Sequence, residues 1–242
     1  MKISVIVPAF NEERLLAGTL QCIKESTVAF ERRGWETELI VCDNNSTDRT
    51  AEIAAGAGAL VVFEPVNQIS RARNAGAARA TGDWLLFVDA DCRPSAALFG
   101  EMAGAIAAGR CLGGGATVRF DERTDFLVTL ALATWNALSR LAKWAAGSFI
   151  FCEAAAFREI GGFSERLFAA EEIDFSRRLK RRARARGRGF AILHRHPLRT
   201  SGRKVRLYSW RELFIFMLRT VVYGGRTLRS REECFAWYDG RR

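Results

Sequence analysis

The sequence predicts an α/β protein built on a mainly parallel sheet. Strand-like and helix-like segments alternate regularly from residue 2 to residue 94, the pattern of βαβ units. The run Trp84-Leu85-Leu86-Phe87-Val88 is apolar throughout, as suits a strand buried on both faces. Right-handed connections would then bring four loops, residues 8–13, 43–47, 65–70 and 89–94, to one edge of the sheet.

Each element has a local reason. Residues 2–7 (KISVIV) are rich in β-branched side chains, and Pro8-Ala9-Phe10-Asn11 breaks the strand. Glu12 and Glu13 open a helix, where acidic side chains suit the dipole, and Leu15, Leu16, Leu20 and Ile23 recur at helical spacing. A second strand covers 38–42. The polar loop 43–47 offers Ser46 or Thr47 as the cap of a helix over 48–57. A third strand spans 60–63, a helix spans 69–80 and ends at Thr81-Gly82, and the strand 84–88 follows.

Beyond Pro94 the rhythm loosens. An alanine-rich helix (95–108) leads to Gly113-Gly114-Gly115 and a strand over 116–120. An apolar helix (125–143), a strand (147–151) and a short helix (154–160) closed by Gly161-Gly162-Phe163 come next. A helix from Glu171 turns strongly basic, a last strand covers 190–193 before His194-Arg195-His196-Pro197, and residues 210–223 form an aromatic amphipathic segment.

No repeat or low-complexity linker divides the 242 residues, so the chain reads as a single domain, 1–242, in three parts: 1–94, 95–200 and a basic, aromatic 201–242. No basic n-region precedes the first strand, and the uncharged stretch 126–139 is shorter than the ~20 residues a membrane span needs. The six cysteines are scattered without Cys-x-x-Cys spacing, as buried thiols in a reducing compartment would be. A cytoplasmic protein, soluble or peripheral to a membrane, is expected. The net charge of +10 is uneven: thirteen Lys or Arg and no carboxylate lie between Phe175 and Arg211. Such a block favours phosphates, nucleic acid or an acidic lipid surface.

Asp89 and Asp91 follow the most apolar strand with one small residue between them. Positions two apart in extended backbone project the same way, into the crevice at the strand's carboxyl end. Two hard oxygen donors there suit Mg²⁺ or Mn²⁺, shared with substrate phosphates. The structural alternative is a polar turn with Asp91 or Ser95 capping the next helix.

Taken together, Val5-Ile6-Val7-Pro8-Ala9-Phe10-Asn11-Glu12-Glu13, Val41-Cys42-Asp43-Asn44-Asn45-Ser46-Thr47-Asp48, Ala72-Arg73-Asn74-Ala75-Gly76 and Asp89-Ala90-Asp91 resemble the motifs of family 2 glycosyltransferases. Gly161-Gly162-Phe163 and Glu171-Glu172-Ile173-Asp174 resemble that family's acceptor-side motifs, and the likeness runs in order from about Lys2 to Arg188. It implies the GT-A fold: a Rossmann-like nucleotide-sugar-binding half (1–94) and an acceptor-binding, catalytic half (95–200). It implies transfer of one sugar, with inversion, from a nucleotide sugar, a UDP-sugar being the commoner donor, to a glycan, lipid-linked or small-molecule acceptor. By the same resemblance Pro8 places Phe10 against the base, Glu12 lies near the ribose, and Asp43 accepts a hydrogen bond from the base. Arg73 faces base or diphosphate, Asp89 holds the ribose or a metal-bound water, Asp91 binds Mg²⁺ or Mn²⁺, and Glu172 is the general base.

Simpler roles stand beside these. Phe10 could be core, Asp43 an Asx-turn residue, Arg73 an exposed helix arginine, and the acidic cluster an ordinary helix N-terminus. The family more often has Glu-Asp where this chain has Glu171-Glu172, so Glu171 and Asp174 remain rival bases. His194 and His196 lie where some relatives place a metal ligand, and otherwise read as structural or phosphate-facing. The basic run 177–188, extended by Arg199, Arg203, Lys204 and Arg206, could be a solvated face, close over a diphosphate, or meet anionic lipid; residues 210–223 fit a packed helix, a dimer contact or an interfacial helix.

Other functions fit less well. A sugar-nucleotide pyrophosphorylase needs a Gly-rich, Arg-containing phosphate loop after the first strand, where this chain has Pro-Ala-Phe-Asn-Glu-Glu. A nucleic-acid-binding module leaves Asp43, Asp89 and Asp91 unexplained, so no nucleic-acid partner is expected. The alternative kept is a non-catalytic nucleotide- or anion-binding protein using the basic C-terminal half.

Overall fold

The computed structural model describes residues 1–121, 125–202 and 226–234. The first half runs β1 (Lys2–Ala9), α1 (Leu16–Ser26), α2 (Val28–Glu31), β2 (Glu36–Asp43), α3 (Thr50–Gly56), β3 (Leu60–Phe63), α4 (Ile69–Arg79), β4 (Trp84–Val88) and β5 (Cys92–Arg93). The second runs α5 (Ala96–Ala107), β6 (Cys111–Phe120), α6 (Phe126–Ala142), β7 (Phe149–Glu153), α7 (Ala154–Glu159), α8 (Glu171–Ala185) and β8 (Gly189–Thr200), with a 3₁₀ turn at Arg226–Arg229. One sheet holds the strands in the order β3-β2-β1-β4-β7-β6-β8-β5. β3, β2, β1 and β4 are parallel; β7 pairs antiparallel to both β4 and β6, and β6 returns to parallel with β8.

Alternation along the strands divides the core into two layers. Ile3, Val5 and Val7 of β1 and Leu86 and Val88 of β4 pack with Leu16, Leu20, Phe99 and Met102 of α1 and α5 on one face. Ile6, Leu85 and Phe87 meet α4, α7 and α8 on the other, through Ala77, Phe157, Phe175 and Leu179. Phe87 and Phe163 meet edge to face with centroids 5.1 Å apart, and Phe163 stacks on Phe175 at 4.4 Å. Each fully buried large apolar side chain contributes roughly 1.5–3 kcal/mol.

Several boundaries differ from the sequence reading. β1 does not break at Pro8. Ala9 O accepts from Asn44 N on the β2 side, so Pro8 turns its backbone edge towards β4, whose pairing stops at Ile6. The missing N–H costs no ladder bond there. α1 begins at Leu16 rather than at Glu12, because Asn11 takes a left-handed φ of 51° and turns the chain. α3 begins at Thr50 without a side-chain cap; Ser46 and Thr47 bond to Asn11 instead. Gly113, Gly114 and Gly115 lie inside β6, where added side chains would strike Phe151 O at 2.6 Å, Ala191 O, and Ala145 Cβ at 2.5 Å. β8 does not stop at Leu193 but passes through both histidines to Thr200, with a register shift against β6 in that stretch.

Candidate functional site

Strand order reverses around β1, with β2 and β3 on one side and β4 on the other. The crevice beyond the carboxyl ends of β1 and β4 is where open α/β sheets take ligands. The expected loops meet there. Asn11 N donates to Ser46 Oγ at 2.9 Å, Glu12 N to Thr50 Oγ1 at 2.8 Å, and Asn11 Oδ1 accepts from Thr47 N at 2.8 Å. Buried Asn44 bonds to Glu64 O, Val66 O and Gln68 N and so ties the 65–70 loop to the end of β2. Asp43 is buried and accepts from Ser46 N at 3.1 Å, an Asx-type turn. Pro8 is buried within β1, Glu12 is buried beside Thr50, and Phe10 is partly exposed and belongs to neither core layer.

The Asp89–Asp91 turn is closed by a bond of its own and held by Ser148, Thr19 and Ser201. Asp89 N donates to Ser148 O, Cys92 N to Asp89 O, and Thr19 Oγ1 to Ala90 O at 2.7 Å. Ser201 holds Asp91 twice, its Oγ on Asp91 Oδ2 at 2.7 Å and its N on Asp91 O at 3.2 Å. Among the described residues Asp91 Oδ1 meets the Cys92 thiol alone, at 3.5 Å, so this partly exposed carboxylate keeps hard oxygen lone pairs, the donor type that suits Mg²⁺ or Mn²⁺. Among the described residues no three His, Cys, Asp or Glu side chains converge on one point. A site of one or two carboxylates completed by substrate phosphates does not require three.

Arg73 was expected against base or diphosphate. It is instead 1 % exposed and faces protein groups. Nη1 donates to Glu171 Oε1 at 2.8 Å; Nη2 donates to Asp89 Oδ1 at 3.0 Å and to Gly147 O at 2.8 Å. The guanidinium lies 5.2 Å from the Phe163 ring centroid. Burial disfavours its charge, but Asp89, Glu171 and Glu172 outweigh burial and hold it protonated. Gly147 makes room: a Cβ there would lie 3.2 Å from Arg73 Nη2 and 3.7 Å from Glu172 Cδ. Glu172 is thus beside the Arg73–Asp89 pair. Burial, then the Glu171 charge, push its carboxyl up to about 8. Glu171, buried on Arg73, is raised by burial. Asp174 is engaged by Arg178 at 2.7 Å.

The glycine turn is built for its place. Gly161 and Gly162 take φ of 76° and 66°, and Asn74 binds both Phe163 N and Phe163 O, docking the turn on α4. His194 and His196 belong to an exposed bend of β8 whose amides, with Arg195 N, donate to Glu101. Much of the basic run is paired: Arg178 with Asp174, Arg182 and Arg186 with Glu159, and Arg188 with Glu153. Arg203, Lys204, Arg206 and the segment 210–223 lie outside the described residues.

Sequence reasoning missed Thr19, Gly147 and Ser201. Thr19 and Ser201 act on the Asp-Ala-Asp turn from 71 and 110 residues away, and neither carries a local motif. It also missed the 226–234 segment, where Leu228 O accepts from Phe168 N at 2.7 Å and the buried Cys234 thiol feels the Glu171 charge.

Comparison with known proteins agrees with this fold. The family model described as Glycosyl transferase family 2 matches residues 4–160. The low-salt glycan biosynthesis hexosyltransferase Agl6 of Haloferax volcanii is 39% identical over 90 residues, 37% of this chain and 21% of that protein. The 4,4'-diaponeurosporenoate glycosyltransferase of Staphylococcus haemolyticus is 38% identical over 96 residues, 37% of this chain and 24% of that one. The chain therefore spans about a fifth to a quarter of those relatives. Among solved structures, S. aureus TarS 1-349 in complex with UDP-GlcNAc superposes with TM-score 0.67 at 19% identity, over 98% of this chain and 69% of that one. The mannosyltransferase PcManGT of Pyrobaculum calidifontis, in complex with GDP-Man and Mn²⁺, gives 0.67 at 18% identity, over 89% and 61%.

Proposed function

Because this chain belongs to glycosyltransferase family 2 and has the GT-A fold, we propose that it transfers one sugar from a nucleotide sugar to an acceptor hydroxyl, with inversion and metal assistance. What supports this reading is that β1, β2 and β4, parallel neighbours, end at one edge of the sheet with Asp43, Asp89 and Asp91 at or just beyond their carboxyl ends, and that Arg73 bonds Asp89 to Glu171 there, with Glu172 alongside.

The donor is proposed to be a UDP-sugar. Its nucleoside lies along Phe10, Glu12 and Asp43, with Pro8 fixing the strand end beneath. Asp91, with Asp89, would hold Mg²⁺ or Mn²⁺, and the ion would neutralise charge on the departing diphosphate. Ser201 and Thr19 hold the turn that carries both carboxylates. Arg73 fixes Asp89 and Glu171 relative to one another, and Glu172 stands beside them, partly exposed.

Glu172 takes the proton of the acceptor hydroxyl as its oxygen bonds to the anomeric carbon. The bond from that carbon to the diphosphate oxygen breaks, and the electron pair leaves with the nucleoside diphosphate. One base suffices for an inverting displacement, and its contribution is typically ~10²–10⁴-fold. The acceptor is a glycan, lipid-linked or small-molecule hydroxyl. The six unpaired thiols suit a reducing, cytoplasmic setting.

The test is a panel of UDP- and GDP-sugars with Mn²⁺, read as nucleoside diphosphate released with and without hydroxyl acceptors. Release from one donor, lost in Glu172→Gln while that donor still binds, supports the reading. Binding without release from any donor across acceptor classes favours the non-catalytic alternative.

A further inference from the structure

The outer side of α6 is an uncovered apolar surface among the described residues. Its inner side is engaged: Leu132 and Trp135 pack on the core, and Asn136 brackets Val118, accepting from its N at 3.0 Å and donating to its O at 2.8 Å. On the opposite side Phe126 is 78%, Leu130 52%, Leu138 48% and Leu141 83% exposed, with exposed Ala133 and Ala137 between them. At 100° per residue these positions share one face. No charged side chain interrupts residues 126–139, so the face extends for about 20 Å before Arg140. Monomeric soluble proteins seldom leave such a face open, and a contiguous apolar patch of this kind marks an interaction site.

What borders the face identifies the partner. α8 crosses the carboxyl end of α6, where Lys180 Nζ donates to Ala142 O at 2.6 Å and the Arg177 guanidinium lies 5.3 Å from the Trp144 ring centroid. Lys143, Arg177, Lys180 and Arg184 therefore lie near one another at the carboxyl end of α6, the end that also carries Leu138, Leu141 and exposed Arg140. Their crowding is felt at Lys180, whose ammonium is disfavoured by burial and then by Arg184, Arg177 and Lys143. Among the described residues no carboxylate pairs with any of these five, whereas Arg178 and Arg182 of α8, and Arg186 and Arg188 just beyond it, are all paired.

We propose that the exposed face of α6 and the adjoining cations of α6 and α8 dock the protein on an anionic lipid bilayer. The apolar side chains enter the boundary between headgroups and acyl chains. Trp144 lies at the level of the headgroups, and the lysines and arginines extend to their phosphates. A second copy of this face would bring the same cations against Asp125, the carboxylate that the described residues place at the far end of α6, so the charge favours lipid. The sequence pointed for such contact to the basic run and to residues 210–223; of the first, Arg177, Lys180 and Arg184 lie at this surface while Arg178, Arg182, Arg186 and Arg188 are paired, and the second lies outside the described residues. The docking surface does not depend on the transfer chemistry.

The experiment is flotation of the full chain with phosphatidylcholine vesicles and with vesicles containing about one-third phosphatidylglycerol. Leu130→Gln/Leu141→Gln and Arg140→Glu/Lys143→Glu change exposed side chains only, and circular dichroism and nucleotide titration check that each stays folded. Wild type is expected to float with the anionic vesicles alone and to be released by salt, and each double variant is expected to bind roughly tenfold or more weakly. No flotation of wild type, or unchanged flotation of both variants, overturns the proposal. A dimer in sedimentation that Leu130→Gln/Leu141→Gln dissolves, without vesicle binding, overturns it in favour of a second copy.

Discussion

Arg73 and Glu171, 98 residues apart, meet inside the protein at 2.8 Å, and the same guanidinium reaches Asp89 at 3.0 Å. One buried cation thus ties α4 in the first half of the chain to the N-terminus of α8 in the second. An arrangement that pairs a side chain from each half fixes where Glu172 stands relative to Asp89. That relation matters for a displacement in which one carboxylate faces the acceptor and others face the diphosphate.

Removing the cation strands two carboxylates. Arg73→Met is expected to lower stability by about 3–5 kcal/mol, because a buried ion pair broken from one side leaves uncompensated charge. Urea unfolding measures the loss. Arg73→Lys is expected to recover only part of it, since one ammonium cannot reproduce the guanidinium's fork onto Glu171, Asp89 and Gly147.

The pH dependence follows from Glu172. Its carboxyl is pushed up to about 8 by burial and then by Glu171. It is therefore mostly protonated at neutral pH and serves as a base only when ionised. kcat/KM is expected to rise with pH and to level off above about 8. Glu171→Gln removes a like charge, so the rise is expected at lower pH. An unshifted profile would speak against this assignment of the base.

Ser201 acts through Asp91. Ser201→Ala leaves Asp91 Oδ2 without its 2.7 Å donor and is expected to weaken Mn²⁺ affinity roughly 10- to 100-fold, the usual effect of losing such a supporting bond. Titration calorimetry with nucleotide present reads this directly. Ser201→Thr keeps the hydroxyl and is expected to retain most of the affinity.

Glu38, far from the crevice, predicts acid behaviour. Burial opposes its charge, but hydrogen bonds from Lys2, Ser4 and Thr81 prevail and hold its carboxyl at about 2 against 4.5 when unperturbed. The depressed value stabilises the fold above the unfolded pKa, and that stabilisation is lost as pH falls from about 5 towards 2. Glu38→Gln is expected to cost about 1–3 kcal/mol at pH 7, allowing for the carboxylate's partial exposure, and almost nothing near pH 2. Unfolding midpoints at the two pH values check it.

The parallel half of the sheet was legible because its strands are short, apolar and separated by polar loops; β4 spans residues 84–88 as the pattern predicts. The placement of Asp89 and Asp91 just beyond that strand was legible for the same reason. Glu12 and Glu13 misled, since helix-favouring residues are held in a turn by side chains of the neighbouring loop: Glu12 N on Thr50 Oγ1, Glu13 N on Asp48 Oδ2. The glycines of β6 misled as well, because strand propensity cannot register that Phe151 and Ala145 leave no space for a Cβ. Arg73's burial and the Ser201–Asp91 bond depend on tertiary approach across 98 and 110 residues, which no local pattern encodes.

The central claim is a donor site at the β1–β4 crevice completed by Asp91. Its most direct test is calorimetric titration of the protein with UDP and with GDP, with and without Mn²⁺, repeated on Asp91→Asn. Saturable binding of UDP that weakens without metal and weakens again in Asp91→Asn is the predicted result. Absence of binding by either nucleotide under every metal condition, or equal binding by the variant, would contradict it.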